Sequence, residues 1–355
     1  MSLHELLEKV KQEIAFPQID AERCVHSLIE QASCQACVNA CPNGAWLLDD
    51  EQLGLDTQAC DGCGICVAAC PQSAIAHDYQ LRIYDYKGRG IAVVACERAG
   101  VSGDGVIPCL HALALPEFLK VYARGVRVLL VTRGNCTDCD RSTASQSFDL
   151  LLENYRRLLG SHGLPALSVR EYRPYEWQAR NQLLALESQG QSVSRRGFLR
   201  GVAGEVIGQG MEAVPGGTEL KKCIELSDVL PEGSTEGIFP HVPRIDPREC
   251  LGCDACVNLC PQGAIVMQDQ PLRYTVDPRH CNGCGLCVDV CDARAVSVTD
   301  WVHASGQTIE LRKDRCQACG VPFYYPKAQE AERSLCRICT DSGRRKWNLF
   351  QVLDS

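Results

Sequence analysis

No apolar run in the 355-residue sequence approaches the length needed to cross a bilayer. No secretion signal is expected at its start. Met1 to Phe16 carries a helical amphipathic pattern (Leu3, Leu6, Leu7, Val10, Ile14) rich in Glu and Lys, with no apolar h-region. Excess positive charge is absent: the formal net charge is −8, which argues against nucleic acid as the main partner. No glycine-rich fingerprint for a nicotinamide or flavin is found, nor a pterin-sized domain, nor a nickel site. The chain is therefore expected to be a soluble, cytoplasmic protein in a reducing setting, without a substrate site of its own.

Cysteine is what the sequence has in plenty. There are 25, mostly in C-x-x-C groups, which in a long chain without a secretion signal reads as metal binding and not as a disulfide framework. The run Cys60-Asp61-Gly62-Cys63-Gly64-Ile65-Cys66-Val67-Ala68-Ala69-Cys70-Pro71 has the spacing C-x2-C-x2-C-x3-C-P. It resembles bacterial ferredoxins, in which three such cysteines grip one [4Fe–4S] cubane and the fourth reaches to a second. Upstream, Cys34-x2-Cys37-x3-Cys41-Pro42 lacks the leading cysteine; Gln31 stands there, and Cys24 is the available replacement. The resemblance implies one cluster on Cys24, Cys34, Cys37 and Cys70 and another on Cys60, Cys63, Cys66 and Cys41. The alternative for Cys24 is a small buried hydrophobe, with the first cluster reduced to three irons.

The pattern recurs as Cys250-x2-Cys253-x2-Cys256-x3-Cys260-Pro261 and Cys281-x2-Cys284-x2-Cys287-x3-Cys291, with Asp292 in place of the proline. By the same resemblance, Cys250, Cys253, Cys256 and Cys291 hold one [4Fe–4S] cluster, and Cys281, Cys284, Cys287 and Cys260 its neighbour. His280 adjoins a ligand but is left no coordinating role.

Between the two modules, Ile91–Ala95 and Val126–Val131 read as buried strands, with a third near Leu167–Tyr172. Leu110 to Arg124 and the stretch holding Phe148, Leu151, Leu152, Tyr155 and Leu159 read as helices, giving a small parallel sheet with right-handed crossovers. Cys96, Cys109, Cys136 and Cys139 then fall at the carboxyl edge of that sheet, where open α/β sheets hold ligands. The surrounding residues, Ala95-Cys96-Glu97, Pro108-Cys109, Leu115-Pro116-Glu117-Phe118-Leu119 and Gly134-Asn135-Cys136-Thr137-Asp138-Cys139, resemble the delta subunit of methyl-viologen-reducing hydrogenases. That family implies a [2Fe–2S] cluster here and electron passage toward heterodisulfide-reductase-type flavoproteins. Four thiolates alone do not distinguish two-iron, four-iron or zinc sites, and one pair could instead be structural.

Residues 173–245 read as a connector with some helix. Within it, Ser194-Arg195-Arg196-Gly197-Phe198-Leu199-Arg200 looks like a twin-arginine motif, but it is internal and no strongly apolar segment follows, so export is rejected. The stretch resembles the start of cytoplasmic nitrate-reductase accessory ferredoxins; a solvated basic linker helix is the alternative. Near the C-terminus, Cys316-x2-Cys319-Gly320 and Cys336-x2-Cys339 suit a tetrahedral zinc ribbon, with rubredoxin-type iron or a further cluster left open. Arg333, Arg337, Arg344, Arg345 and Lys346, near Trp347, suggest a docking surface for a protein partner. These sets take every cysteine except Cys223, read as a free thiol.

The expected architecture is α+β and multidomain. Two ferredoxin-like modules (1–81, with its leading helix, and 246–300) flank a small α/β parallel-sheet domain (82–172) and the connector (173–245), and residues 301–355 form a zinc-ribbon-like tail. The expected cofactors are four [4Fe–4S], one [2Fe–2S] and one zinc. The expected function is an electron-transfer subunit of a larger cytoplasmic oxidoreductase complex, between a catalytic dehydrogenase, reductase or hydrogenase subunit and a flavoprotein or other acceptor. Peripheral membrane association stays open. The alternative is an accessory ferredoxin for maturation of a molybdoenzyme, which would bind only the immature enzyme instead of co-purifying in fixed ratio.

Overall fold

Strand-forming residues cluster in short runs between cysteine loops, and those runs set the architecture. The computed structural model describes residues 16–48, 53–77, 79, 81–141, 148–188, 226–231, 233–329 and 333–343. The helix expected before residue 16, the twin-arginine-like stretch, Cys223, Arg344, Arg345, Lys346 and Trp347 lie outside them. The described residues fall into two compact units: 16–20, 36–47 and 53–230 in one, and 21–35, 48 and 231–343 in the other. No helix among them is long and apolar enough to cross a membrane.

The first unit opens on a small module built from β1 (Gln18–Ile19), α1 (Ala36–Ala40), β2 (Trp46–Leu48), β3 (Leu53–Leu55), α2 (Ile65–Ala69) and β4 (Ile75–Ala76). Its outer strands close on each other, Ile19 opposite Ile75, while β2 pairs β3. Trp46, Cys66 and Ile75 are its buried centre.

A five-stranded sheet follows, made by β5 (Arg82–Tyr86), β6 (Arg89–Cys96), β7 (Val106–Ile107), β8 (Val128–Thr132) and β9 (Ser168–Glu171). Strands β6, β8 and β9 are parallel, joined through α3 (Leu115–Ala123) and α4 (Phe148–Ser161). The sheet also carries an antiparallel edge strand, β5, and a short parallel partner, β7. Both faces of β6 are covered, so its run from Ala92 to Ala95 is wholly apolar and not alternating.

One cover of the sheet comes from residues that the sequence pattern places in the connector. Helix α5 (Pro174–Ser188) packs on β5 and β8, and Trp177 and Leu184 share a core with Tyr84, Val93, Ala95 and Leu130. The Trp177 indole N–H donates to the Leu130 carbonyl at 3.3 Å. The α/β domain therefore continues past 172.

The second unit repeats the small module on a larger scale. β10 (Glu236–Ile245) pairs antiparallel with β13 (Val296–Ser305); between them lie α6 (Ala255–Asn258), β11 (Ile265–Asp269), β12 (Leu272–Val276) and α7 (Leu286–Asp289). The expected boundary at residue 300 does not exist. β13 runs straight through it, and β14 (Gln307–Arg315) pairs with β12 and with β15 (Pro322–Pro326), making one sheet in the order β11-β12-β14-β15. The physical reason is the edge of the β11–β12 hairpin, whose unpaired backbone groups β14 satisfies. Ile309 and Leu311 of β14 join Ile245, Tyr274, Val276 and Val296 in a single core.

Trp177→Ala removes a side chain that is 1 % exposed together with its hydrogen bond. The expected cost is about 3–5 kcal/mol of local stability. Hydrogen exchange at the amides of β6 and β8 should accelerate accordingly; unchanged protection there would contradict α5 as part of this domain.

Candidate metal centres

Two pockets in the second unit are lined by cysteines that the sequence keeps apart. Cys250, Cys253, Cys256 and Cys291 line one, with Tyr274 and Arg337. Cys260, Cys281, Cys284 and Cys287 line the other. Each pocket takes three cysteines from one loop and the fourth from the other. The loops curl by visiting the left-handed region, at Asp254 (φ +62°) among others, where the Tyr274 hydroxyl donates to the Asp254 carboxylate.

The way the fourth cysteine is held was not legible from spacing. Four cysteines followed at the fourth position by alanine accept that alanine's N–H at sulfur: Cys41 from Ala45, Cys70 from Ala74, Cys260 from Ala264 and Cys291 from Ala295, at 3.2–3.3 Å. The residue before each alanine turns left-handed to aim that N–H: Gly44, Ser73, Gly263 and Arg294 have φ of +61°, +50°, +64° and +51°. Two of the four are not glycine, so local strain is accepted for the sulfur contact. A sequence signal existed: alanine follows every C-x3 step at the same offset.

None of the described cysteines is in a disulfide. Burial first, and repulsion by neighbouring sulfurs after it, pushes the Cys256 and Cys287 thiols up to about 12. Cys281 is driven to about 12 chiefly by burial, against a hydrogen bond from the Gly283 backbone. Such sulfurs ionise together only beside a compensating cation. An all-thiolate donor set of this kind, buried at Cys250 and Cys256, partly buried at most other positions and exposed at Cys253, fits an iron–sulfur core or another thiophilic metal.

In the first unit the corresponding module gathers Cys60, Cys63 and Cys66 beside Cys41. Burial pushes Cys66 to about 12, opposed by a hydrogen bond from Trp46, while repulsion from Cys60, Cys41 and Cys37 adds to the rise. Cys63 is likewise raised to about 12 by burial. Cys37 and Cys70 pack on the same centre as Trp46 and Ile75. Cys24 and Cys34 belong to the second unit; the His26 ring nitrogen lies 2.7 Å from the Cys34 carbonyl oxygen.

Residues 32–75 and 242–292 each match a 4Fe-4S dicluster domain. The two modules are ferredoxin-like and iron–sulfur in type. The second match spans all eight cysteines of its module; the first begins beyond Cys24. No curated protein matches this chain.

Outside the ferredoxin modules, Cys96, Cys109, Cys136 and Cys139 line one pocket at the carboxyl edge of the sheet, with His111 and Arg98. Cys96 ends β6, and Cys136 and Cys139 follow β8. Burial pushes Cys109 to about 12, and Cys96 and Cys139 repel its anion further. The helix read over Leu110 to Arg124 does not begin at Cys109. Cys109 precedes a 3-10 turn, Leu110–Ala112, and α3 begins only at Leu115. Pro116 lies in the first turn of α3, where its missing N–H costs nothing, and the Glu117 carboxylate accepts the Ala114 N–H at 3.1 Å, so the helix restarts there.

The C-terminal knuckles also converge. One ligand atom from each of Cys316, Cys319, Cys336 and Cys339 lies within 4.8 Å of all the others, and the Cys319 and Cys336 sulfurs are 3.8 Å apart. Cys316 ends up low, at about 6: burial opposes its anion, but backbone N–H groups of Cys336, Cys319 and Ala318 outweigh that penalty. Cys339 is held up at about 12 by burial and by hydrogen bonding with the other three thiols.

Cys336 caps α8 (Arg337–Asp341), and Arg337 pairs with Asp292 while lining the Cys250/Cys253/Cys256/Cys291 pocket. Asp292 stands where the other three ferredoxin loops carry Pro42, Pro71 and Pro261. Its carboxylate adds a surface ion pair between the knuckle and that module, to which β14 already joins Cys316 through β12.

Gly252 has φ +69°, and a Cβ there would collide with the Tyr324 carbonyl group of β15. Gly252→Ala should cost about 1–3 kcal/mol and open the loop that carries Cys250 and Cys253. Iron analysis should show iron lost from the second module with the first intact; full occupancy of both would contradict this packing.

Proposed function

We propose that the chain is an iron–sulfur electron-transfer subunit of a cytoplasmic oxidoreductase complex, relaying single electrons between a catalytic subunit and a flavoprotein or other acceptor. The observation that carries this reading is the exchange of Cys260 and Cys291 between the two pockets of the second module. Such an exchange belongs to paired clusters held close together, and paired clusters serve one-electron relay.

The ligand sets proposed are Cys250/Cys253/Cys256/Cys291, Cys281/Cys284/Cys287/Cys260, Cys60/Cys63/Cys66/Cys41 and Cys24/Cys34/Cys37/Cys70, each for one [4Fe–4S] cluster. The last rests on sequence alone. Cys96/Cys109/Cys136/Cys139 is proposed for a [2Fe–2S] cluster, as in hydrogenase delta subunits. Cys316/Cys319/Cys336/Cys339 is proposed for zinc in a closed structural site. When bound, the clusters accept and release single electrons. The chain's part is to hold them, exclude water and tune them through N–H donors to sulfur such as Ala264 and Ala295. Ferredoxin-type modules favour electron transfer over catalysis, so the chemistry at either end of the relay is assigned to partner subunits.

Anaerobically purified full-length protein should contain iron and acid-labile sulfide for four cubanes and one two-iron centre, with zinc alongside. Cys136→Ala should delete one paramagnetic signal and leave the cubane signals in place. Material holding only two cubanes, or none, overturns the reading; iron without zinc reverses the metal assigned to the knuckle.

A further inference from the structure

Arg141 is the one charged residue buried among the described residues of the first unit. Its side chain is 7 % exposed, yet it makes four polar contacts. Its Nε donates to Asp61 Oδ2 at 2.5 Å and one terminal nitrogen to the Asp61 carbonyl at 3.3 Å. The other terminal nitrogen donates to Glu97 Oε1 at 2.6 Å and to the Pro108 carbonyl at 2.9 Å.

Every partner is the sequence neighbour of a cysteine. Asp61 lies between Cys60 and Cys63 in the ferredoxin loop, and its other carboxylate oxygen accepts the Cys63 N–H at 3.2 Å. Glu97 follows Cys96, and Pro108 precedes Cys109. Arg141 itself lies two positions beyond Cys139. One guanidinium thus reaches the backbone or carboxylates beside three thiols in two separate sets.

Two further contacts join the same surfaces. The Tyr79 hydroxyl lies 2.8 Å from the Ala112 carbonyl and 3.2 Å from the Gly64 carbonyl, spanning the turn after Cys109 and the loop after Cys63. Cys109 and Cys63 also share one apolar core with Ile65 and Ala40. The ground between the two sets is therefore dry, and charge in it is weakly screened.

We propose that Arg141 is a positioning residue that locks the Cys96/Cys109/Cys136/Cys139 site onto the Cys60–Cys66 loop, so that the charge state of either site is felt at the other. This rests on the reading that both sets hold iron–sulfur centres. The signs follow from the charges. Arg141 lies between two anionic sites and favours the reduced, more negative form of each. Asp61 and Glu97 each cancel part of that effect from opposite ends.

The test is a potentiometric titration, followed by paramagnetic resonance, of the anaerobic full-length protein and its variants. Asp61→Asn, a change in the ferredoxin loop, should make the remote Cys96/Cys109/Cys136/Cys139 centre easier to reduce. Glu97→Gln should do the same to the cluster of Cys60, Cys63, Cys66 and Cys41. Arg141→Gln should make both harder to reduce, by roughly a tenfold fall in the reduced-to-oxidised ratio at fixed potential, which is about 59 mV for one electron.

Arg141→Gln leaves two carboxylates without their cation and could fail to fold, so the two carboxylate variants carry the decision; their side chains are 30 % and 45 % exposed. Reciprocal shifts across the two sites support the clamp. Shifts confined to the site that carries the substitution, with both signals present, overturn it while leaving the relay intact. A protein whose Cys96/Cys109/Cys136/Cys139 set yields no signal and holds no iron overturns the two-centre reading and the clamp with it.

Discussion

Sulfur anions crowded into a dry pocket repel one another, and the described fold is arranged around that repulsion. Burial raises the thiols of Cys63, Cys66, Cys109, Cys256, Cys281 and Cys287 far above their ordinary range, with neighbouring sulfurs adding to it in all six. Without a cation these groups stay protonated thiols, and as anions they could not be sequestered in threes and fours. A thiophilic, positively charged core reverses that balance, because each deprotonated sulfur then gains a metal bond.

Three scaffolds reach this arrangement by different routes. The ferredoxin modules use paired loops that trade their fourth cysteine, held by an alanine N–H behind a left-handed residue. The α/β domain uses strand ends, where β6 and β8 stop side by side and release Cys96, Cys136 and Cys139. The C-terminal knuckles use a strand end and a helix start. In each unit a charged pair ties a four-cysteine site to a ferredoxin loop: Arg141 with Asp61, and Arg337 with Asp292.

Much of this was legible because metal ligation imposes spacing, and spacing survives in sequence. The C-x2-C-x2-C-x3-C runs contain the eight cysteines that line two pockets of the second unit, and the apolar runs at 91–95 and 126–131 match the inner strands. The illegible parts have physical causes. Helix α5 turns Trp177, Asn181 and Leu184 inward, and the polar Asn181 interrupts the apolar stripe; its amide instead donates to the Asp104 carbonyl. Strand β14 reads as part of a tail because its partner, β12, lies in the preceding module. Ser73 and Arg294 give no hint of left-handed backbone, since glycine usually marks it. Arg141 is a lone arginine in sequence, and only folding brings its four contacts together.

The proposed relay requires iron where four thiols from two loops meet. An anomalous-difference map at the iron edge, from crystals of anaerobically purified protein, locates that iron. The expected result is separate iron density enclosed by Cys250, Cys253, Cys256 and Cys291, and by Cys281, Cys284, Cys287 and Cys260. Density bound by cysteines of a single loop, or none at either position, would contradict it.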